Sequence, residues 1–206
     1  MKFEPSTSFA GAYRVSGPCY SGSASLSAHG LFSHVIAQLD GIGERHGLAV
    51  ELDGRLLIAW GPKDKVEIGA YRITGDSMHG VWIPPAATGD DLSACGSEKS
   101  VRVSENEWRI EQAHDLEKKP YTGTITIEPV SGDQPRIVKI LWTLHDGEYR
   151  SFGLRGEDWM VSTFNFEPGT PHAIAAYETT ADGWKGVQIW KDQTEGIQET
   201  LIKVSR

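Results

Sequence analysis

The sequence predicts an all-β protein, and three features favour that fold: short apolar runs, closely spaced turn residues and an internal repeat. The 206 residues include 23 glycines and 10 prolines, a content typical of strands joined by turns. Asx-Gly pairs follow apolar runs at 40–41, 53–54, 146–147 and 182–183, and such pairs adopt the positive φ angles of hairpin turns. We therefore expect seven or eight strands in each half of the chain.

One segment has the spacing of a helix as well as that of a strand. Residues 31–39 read LFSHVIAQL, which is short and lacks a capping residue. Its counterpart in the second half, RIVKILWTL at 136–144, is rich in β-branched residues and has the pattern of a strand. We therefore expect both segments to be strands.

The internal repeat is visible without a gap in two blocks. Residues 70–82 (AYRITGDSMHGVW) and 176–188 (AYETTADGWKGVQ) share six of thirteen residues, and YSGSASL at 20–26 corresponds to YTGTITI at 121–127. Tyr20 therefore corresponds to Tyr121, and Tyr71 corresponds to Tyr177. This pattern indicates one module used twice.

Consecutive hairpins without long crossovers favour an up-and-down meander, which loses its exposed edges when it closes into a barrel. An eight-stranded barrel either fills with its own side chains or holds one small ligand. We expect two tandem antiparallel up-and-down β-barrels of about eight strands, one from residues 1–103 and one from 104–206, joined near 103–107. The alternative is one larger β-sandwich built from both repeats.

Glycines and aromatic residues lie along the predicted strands of the first repeat. They are Gly11 and Tyr13 on the first strand, Tyr20 in a Tyr-x-Gly strand, and then Trp60, Tyr71, Gly80 and Trp82. This layout resembles the small barrels of the avidin and lipocalin (calycin) group, and bacterial proteins with a duplicated β-repeat. The resemblance implies a barrel that holds a small ligand. In the first repeat, Tyr13 replaces the tryptophan of the lipocalin Gly-x-Trp motif. In the second repeat, Trp108 is present without the glycine. No binding residue of the family is therefore assigned to this chain, and biotin binding is not implied.

The charge and hydropathy of the chain exclude several classes of partner. The net charge is −8, which disfavours nucleic acid and anionic membrane surfaces. No run approaches the ~18 apolar residues of a membrane helix, and the first residues show no apolar signal segment. We therefore expect a cytoplasmic protein without nucleic-acid or membrane partners, and the sequence is compatible with a homo-oligomer.

Motifs of common enzyme classes are missing from the sequence. It lacks the phosphate-binding P-loop, the dinucleotide turn and the nucleophile elbow, and GIGERHG at 41–47 precedes a strand rather than a helix. The seven histidines show no metal-ligand spacing, so we expect no metal and no cofactor. The carboxylate candidates are Asp90 with Asp91, Glu157 with Asp158, and the repeat-related Glu98 and Glu199. The first two pairs lie in turn-like stretches, and we expect Glu98 and Glu199 to lie in separate barrels.

Aromatic residues are the most informative class, because each buries ~150–250 Å² and the polar atom of Tyr or Trp needs a partner. They either fill the barrels or line a cavity at a barrel mouth. The candidates for ligand binding are Tyr20, Trp60, Tyr71, Trp82, Tyr121, Trp142, Tyr177 and Trp184. The sequence predicts no catalytic residue.

The two cysteines, Cys19 and Cys95, are either free thiols or one disulfide. Cys19 precedes the second strand of the first repeat, and Cys95 precedes its last strand. Because the first and last strands of a closed barrel are neighbours, one barrel per repeat would bring both cysteines near one end. A bridge would then close a loop of about 77 residues and stabilise the fold by about 4–5 kcal/mol.

Three functions remain compatible with these observations. The first is a non-catalytic binding protein whose calycin-like barrel holds a small apolar or aromatic molecule. The second is a structural or protein-interaction module with filled barrels, and the third is a small barrel-mouth lyase, isomerase or hydrolase. A ligand cavity with unpaired polar groups would favour the first, a solid core the second, and a perturbed carboxylate or histidine in a cavity the third.

Overall fold

The computed structural model describes residues 9–84, 95–132, 134–164 and 172–204. These residues form strands and turns without a helix. The strands are β1 (Gly11–Ser16), β2 (Ser21–His29), β3 (Phe32–Leu39), β4 (Gly43–Leu52), β5 (Arg55–Gly61), β6 (Ile68–Thr74), β7 (Ser77–Ile83), β8 (Gly96–Arg102), β9 (Glu107–His114), β10 (Pro120–Pro129), β11 (Arg136–Leu144), β12 (Gly147–Arg155), β13 (Trp159–Thr163), β14 (Ala173–Thr180), β15 (Gly183–Trp190) and β16 (Ile197–Lys203).

The strands form two closed eight-stranded antiparallel barrels, so the predicted fold class is confirmed. Barrel one has the strand order β1-β16-β15-β14-β5-β4-β3-β2, and barrel two has the order β10-β11-β12-β13-β6-β7-β8-β9. The segment 31–39, whose spacing also suits a helix, contains strand β3, and its counterpart 136–144 is strand β11. The predicted turn at 53–54 is also present, with φ of 51° at Asp53 and 75° at Gly54.

The barrels do not coincide with residues 1–103 and 104–206. Barrel one takes β1–β5 from the first half and β14–β16 from the second, whereas barrel two takes β6–β8 from the first half and β9–β13 from the second. The two repeats therefore exchange their last three strands. The chain passes between the barrels twice, after β5 and after β13. The junction expected near 103–107 is instead the hairpin connection 103–106 between β8 and β9, inside barrel two.

This exchange is possible because equivalent strands of the two repeats offer equivalent partners. Strand β5 pairs with β14 instead of β6, and β13 pairs with β6 instead of β14. In both pairings a large apolar residue faces a tyrosine in the barrel interior: Leu56 lies opposite Tyr177, and Met160 lies opposite Tyr71. Each barrel therefore contains one complete set of eight strand types.

Three apolar clusters hold this arrangement together. One fills barrel one and a second fills barrel two. The third lies between the barrels and joins outward-facing residues of both, including Phe32, Leu57, Phe152, Leu154 and Val161. Because β5 and β13 are buried on both faces, they lack the alternation of a strand with one solvent-facing side.

Candidate functional site

Each barrel contains a buried glutamate surrounded by tyrosines, and a single row of cross-strand neighbours builds it. In barrel two Tyr71 lies opposite Gly80, Gly80 opposite Glu98, Glu98 opposite Ala113, and Ala113 opposite Tyr121. Strand alternation places all five residues on the inner face. The row spans β6, β7, β8, β9 and β10, so five neighbouring strands converge on one carboxyl group.

Barrel one repeats the arrangement with residues from opposite halves of the chain. Tyr177 lies opposite Gly186, and Gly186 lies opposite Glu199. The hydroxyls of Tyr20 and Tyr177 donate hydrogen bonds to Oε2 and Oε1 of Glu199. The Gln188 amide lies 3.5 Å from the Tyr20 hydroxyl. Both carboxyl oxygens of Glu199 therefore have a tyrosine donor.

The cluster in barrel two is less completely hydrogen-bonded. Tyr121 donates to Oε2 of Glu98 at 3.2 Å, and Ser100 donates to Oε1 at 3.4 Å. The Trp82 indole donates in turn to the Tyr121 hydroxyl at 3.1 Å. The buried Tyr71 hydroxyl has no hydrogen-bond partner among the described residues.

Burial perturbs the protonation of both clusters. It raises the pKa of Glu98 to about 7, although hydrogen bonds from Tyr121 and Ser100 offset part of the effect. Burial also raises the pKa of Glu199, against the opposing hydrogen bonds of Tyr177 and Tyr20. The pKa values of the tyrosines rise above the ordinary value because of burial and the adjacent carboxyl group. The tyrosines therefore stay protonated and act as donors.

A glycine in each row makes room for a tyrosine ring, which explains why Gly80 and Gly186 are identical in the repeat. A Cβ at Gly80 would lie 2.1 Å from Cδ1 of Tyr71, and one at Gly186 would lie 2.7 Å from Cδ1 of Tyr177 and 2.1 Å from the backbone oxygen of Ala176. Real Cβ atoms do not approach this closely, so each ring occupies the space that a side chain would take. The repeat identities therefore encode the packing of the site.

Replacing Gly80 by alanine tests this packing. We expect Gly80→Ala to lower the free energy of unfolding by about 1–3 kcal/mol, the usual cost of forcing extra volume into a packed core. Urea unfolding measures it. Gly132→Ala is the matched control, because nothing lies within 4 Å of a Cβ there, and should stay within about 0.5 kcal/mol. Equal stability of the two variants would contradict the ring-on-glycine contact.

The eight aromatic residues predicted from sequence divide evenly between the barrels. Tyr20, Trp60, Tyr177 and Trp184 are in barrel one, and Tyr71, Trp82, Tyr121 and Trp142 are in barrel two. Most of them pack within the two interior clusters. They therefore fill much of the interior, and the two tyrosines of each barrel also bind its glutamate or lie beside it.

A small cavity lies at the Glu199 end of barrel one. Its volume is about 10 Å³, and its wall includes Trp60, Gln188, Glu199 and Trp190, so it has room for about one water molecule. The buried indole N–H of Trp60 has no hydrogen-bond partner among the described residues. The guanidinium of Arg45 lies over the Trp190 ring at 4.9 Å and borders the same cavity.

Two larger grooves, each of about 520 Å³, lie on the outer surface where the barrels meet. The first runs between the β12–β13 turn and the outer faces of β14 and β15, and includes Arg55, Trp159 and Lys185. The second lies between β10–β12 and the β15–β16 turn, and includes Phe152 and Lys191. Both grooves take residues from both barrels.

The other carboxylate candidates do not form a catalytic pair in the described residues. Glu98 and Glu199 lie in separate barrels, as expected. Glu157 and Asp158 are exposed, and Asp158 forms an ion pair with Arg55 at 3.3 Å. Asp90 and Asp91 lie outside the described residues.

Sequence reasoning missed several residues of the site. The predicted residues do not include Gln188, Trp190, Arg45 or Ser100, and the sequence identifies the glutamates only as repeat-related carboxylates. The identities of tyrosine, glycine and glutamate at equivalent places were a usable signal. Alternation could then have placed Gln188 and Trp190 on the same face as Gly186.

The sequence left two alternatives for the cysteines, and the structure has the first, two separate thiols: Cys19 and Cys95 form no disulfide. The second alternative assumed that β8 closes onto β1, but β8 pairs with β9, and β16 pairs with β1. Cys19 is exposed in the β1–β2 connection of barrel one, whereas Cys95 is buried in the cluster between the barrels.

Thiol labelling checks this placement. We expect an aromatic disulfide reagent to modify one thiol per native chain and two per chain in denaturant, because only Cys19 is exposed. Cys19→Ser should abolish the native reaction. Rapid modification of two thiols in the native protein would contradict the burial of Cys95.

No protein-family model, no curated protein and no solved structure matches this chain. In the described parts of the chain, no group of three or more histidine, cysteine or acidic residues is arranged to hold a metal ion. Across the same residues, no helix has the length and apolar character needed to cross a membrane.

Proposed function

We propose that this chain is a non-catalytic binding protein that takes a small aromatic molecule at the Glu199 end of barrel one. The observation that carries the proposal is the buried Trp60 indole N–H, which has no partner among the described residues and belongs to a side chain that lines a cavity together with the buried Glu199. A buried donor without a partner costs about 1–3 kcal/mol. A ligand that accepts a hydrogen bond from Trp60 would recover this free energy.

The chemistry of the cavity wall favours a planar ligand with both an acceptor and a donor. Trp60 and Trp190 supply aromatic faces, and Glu199 and Gln188 supply polar atoms. Pockets of this kind combine apolar walls with a few placed polar groups. A primary aromatic amide fits the pattern, because its carbonyl accepts from Trp60 while its N–H groups donate to the carboxyl or amide oxygens.

Entry requires the end of the barrel to open, because the cavity has a volume of only about 10 Å³. The side chains at this end are Tyr20, Arg45 and Trp190, and all three are partly exposed. Displacing Arg45 breaks its cation–π contact with Trp190, which contributes about 0.5–1 kcal/mol at an exposed site. A small ring that replaces the guanidinium would regain a stacking contact.

The hydrogen bonds of Glu199 support binding over catalysis. Each carboxyl oxygen accepts a hydrogen bond from a tyrosine, and the tyrosines are held protonated. A general base needs an oxygen within reach of the substrate proton. Glu199 is therefore an anchor in this proposal.

Benzamide is the probe that tests the proposal. We expect saturable binding by calorimetry and at least about fivefold weaker binding in Trp60→Phe, which keeps a ring but loses the N–H donor, a change of about 1 kcal/mol. Trp184→Phe is the matched control, since Trp184 lies in the same barrel and does not line the described cavity. Arg45→Ala should strengthen binding by removing the competing cation.

The absence of benzamide binding at millimolar concentration, together with a native mass equal to that of the bare chain, would contradict the proposal. Native mass spectrometry of freshly purified protein supplies the second measurement. Equal loss of affinity in Trp60→Phe and Trp184→Phe would show a general effect on the barrel and would also contradict it.

A second candidate function is an interaction module with filled barrels. The observation that favours it is the pair of grooves of about 520 Å³ where the barrels meet, beside interiors that aromatic and aliphatic side chains occupy. In that case partners would contact the grooves and benzamide would not bind in barrel one.

A further inference from the structure

One end of barrel two is ringed by three arginines. Arg102 is the last residue of β8, Arg136 is the first of β11, and Arg155 is the last of β12. Arg102 shares the inner face of β8 with Glu98, from which it is four residues or about 13 Å away along the strand. The arginine end is therefore distinct from the glutamate end of the same barrel.

Trp108 lies beneath this ring and is fully buried in the interior cluster of barrel two. The guanidinium carbon of Arg102 lies 4.9 Å from the centroid of the Trp108 ring, and that of Arg155 lies 6.0 Å from it. Arg136 is directly opposite Arg155 across the β11–β12 pairing. The three residues and Trp108 form what we call the arginine mouth.

The positive charge of the arginine mouth is only partly balanced within the described residues. Asp76 lies 3.7 Å from Nε of Arg102, and Asp158 at the same end forms its ion pair with Arg55. No described carboxylate forms a salt bridge with Arg136 or Arg155. Burial, followed by the charges of Arg102 and Arg136, lowers the pKa of Arg155, and like charges opposite each other destabilise a sheet.

Barrel one shows that the fold does not require this arrangement. Tyr13 occupies the place of Trp108, and Lys203, opposite Tyr13, occupies the place of Arg102. The positions equivalent to Arg136 and Arg155 are 31 and 51, a leucine and a glutamate that precede Phe32 and follow its partner Val50. The same strand positions therefore carry +3 in barrel two and no net charge in barrel one.

We propose that the arginine mouth binds the phosphate group of a small molecule. Guanidinium groups form paired hydrogen bonds with phosphate oxygens, and the buried Trp108 indole N–H has no partner among the described residues. All four groups are donors and none is an acceptor, which suits an oxyanion. This site is separate from the aromatic site proposed in barrel one and does not depend on it.

The test follows the indole N–H signal of Trp108 by ¹H–¹⁵N NMR during titration with inorganic phosphate at constant ionic strength. Trp108→Phe identifies the signal. We expect a saturable shift with Kd below about 1 mM. Arg136→Gln and Arg155→Gln should each weaken binding about tenfold or more, because a hydrogen bond to a charged group contributes about 1.5–3 kcal/mol.

Arg109→Gln is the matched control, because it changes the net charge by the same amount. Arg109 follows Trp108 in the chain, is exposed, and forms an ion pair with Glu111. It should leave Kd unchanged. Arg155→Lys keeps the charge but loses the guanidinium fork, and it provides a folded comparison if a glutamine variant fails to fold. A shift that chloride reproduces, equal weakening by Arg109→Gln, or tighter binding of citrate than of phosphate would overturn the proposal.

Discussion

Cleavage of the chain between residues 103 and 106 is expected to leave the two pieces bound to each other. The pieces share both barrels, because β1–β5 and β14–β16 form one barrel and β6–β13 form the other. Four strand pairings join them: β1 with β16, β5 with β14, β6 with β13, and β8 with β9. The apolar cluster between the barrels adds a further contact.

A protease site inserted into the exposed segment 103–105 makes the measurement direct. After complete cleavage, size-exclusion chromatography under native conditions should give one peak at the elution volume of the intact 22.6 kDa chain. The same sample should separate into two pieces in denaturant. The uncut chain with the insertion is the control, and separation of two folded pieces without denaturant would contradict the exchange of strands.

Replacement of Glu98 by glutamine is expected to remove a large pH dependence of stability. The pKa of Glu98 is about 7 in the folded protein against an ordinary value of 4.5, so the folded state binds more protons than the unfolded state between these values. Stability then falls as the pH rises from about 4.5 to about 7. A difference of about 2.5 in pKa corresponds to about 3 kcal/mol.

Urea unfolding at pH 5 and pH 8 provides the measurement. The loss of stability between the two pH values should be smaller by about 2.5 kcal/mol in Glu98→Gln than in the unmodified chain, because glutamine cannot ionise and the rest of the effect lies below pH 5. Glu199→Gln should act in the same direction, since burial also raises the pKa of Glu199. Glu107→Gln, at an exposed position of β9, is the control. An unchanged pH dependence in Glu98→Gln would contradict a buried, protonated carboxyl group.

The aromatic positions could be predicted from the sequence, but their grouping could not. Tyr20 and Tyr177 lie 157 positions apart and in different repeats, yet both bind Glu199. The repeat alignment pairs Tyr20 with Tyr121, which lies in the other barrel. Similarity between repeats identifies equivalent places, and it does not identify neighbours.

The features that differ between the two barrels could not be predicted from the sequence either. Arg102, Arg136 and Arg155 are separated by 34 and 19 positions, and only closure of barrel two brings them to the same end. The disulfide alternative for Cys19 and Cys95 is wrong for a related reason, since it assumed that each repeat closes on itself. Long-range pairing decides both features, and local pattern carries no information about it.

The sequence by itself determined the strands, their turns and their inner faces, because alternation, Asx-Gly pairs and glycine opposite tyrosine are local properties. The tertiary structure alone decided which strands close each barrel. Strand β5 can present the same inner face to β6 or to β14, so two closures satisfy the local rules. The cluster between the barrels buries the outer faces of β5 and β13, and this packing is a property of the whole chain.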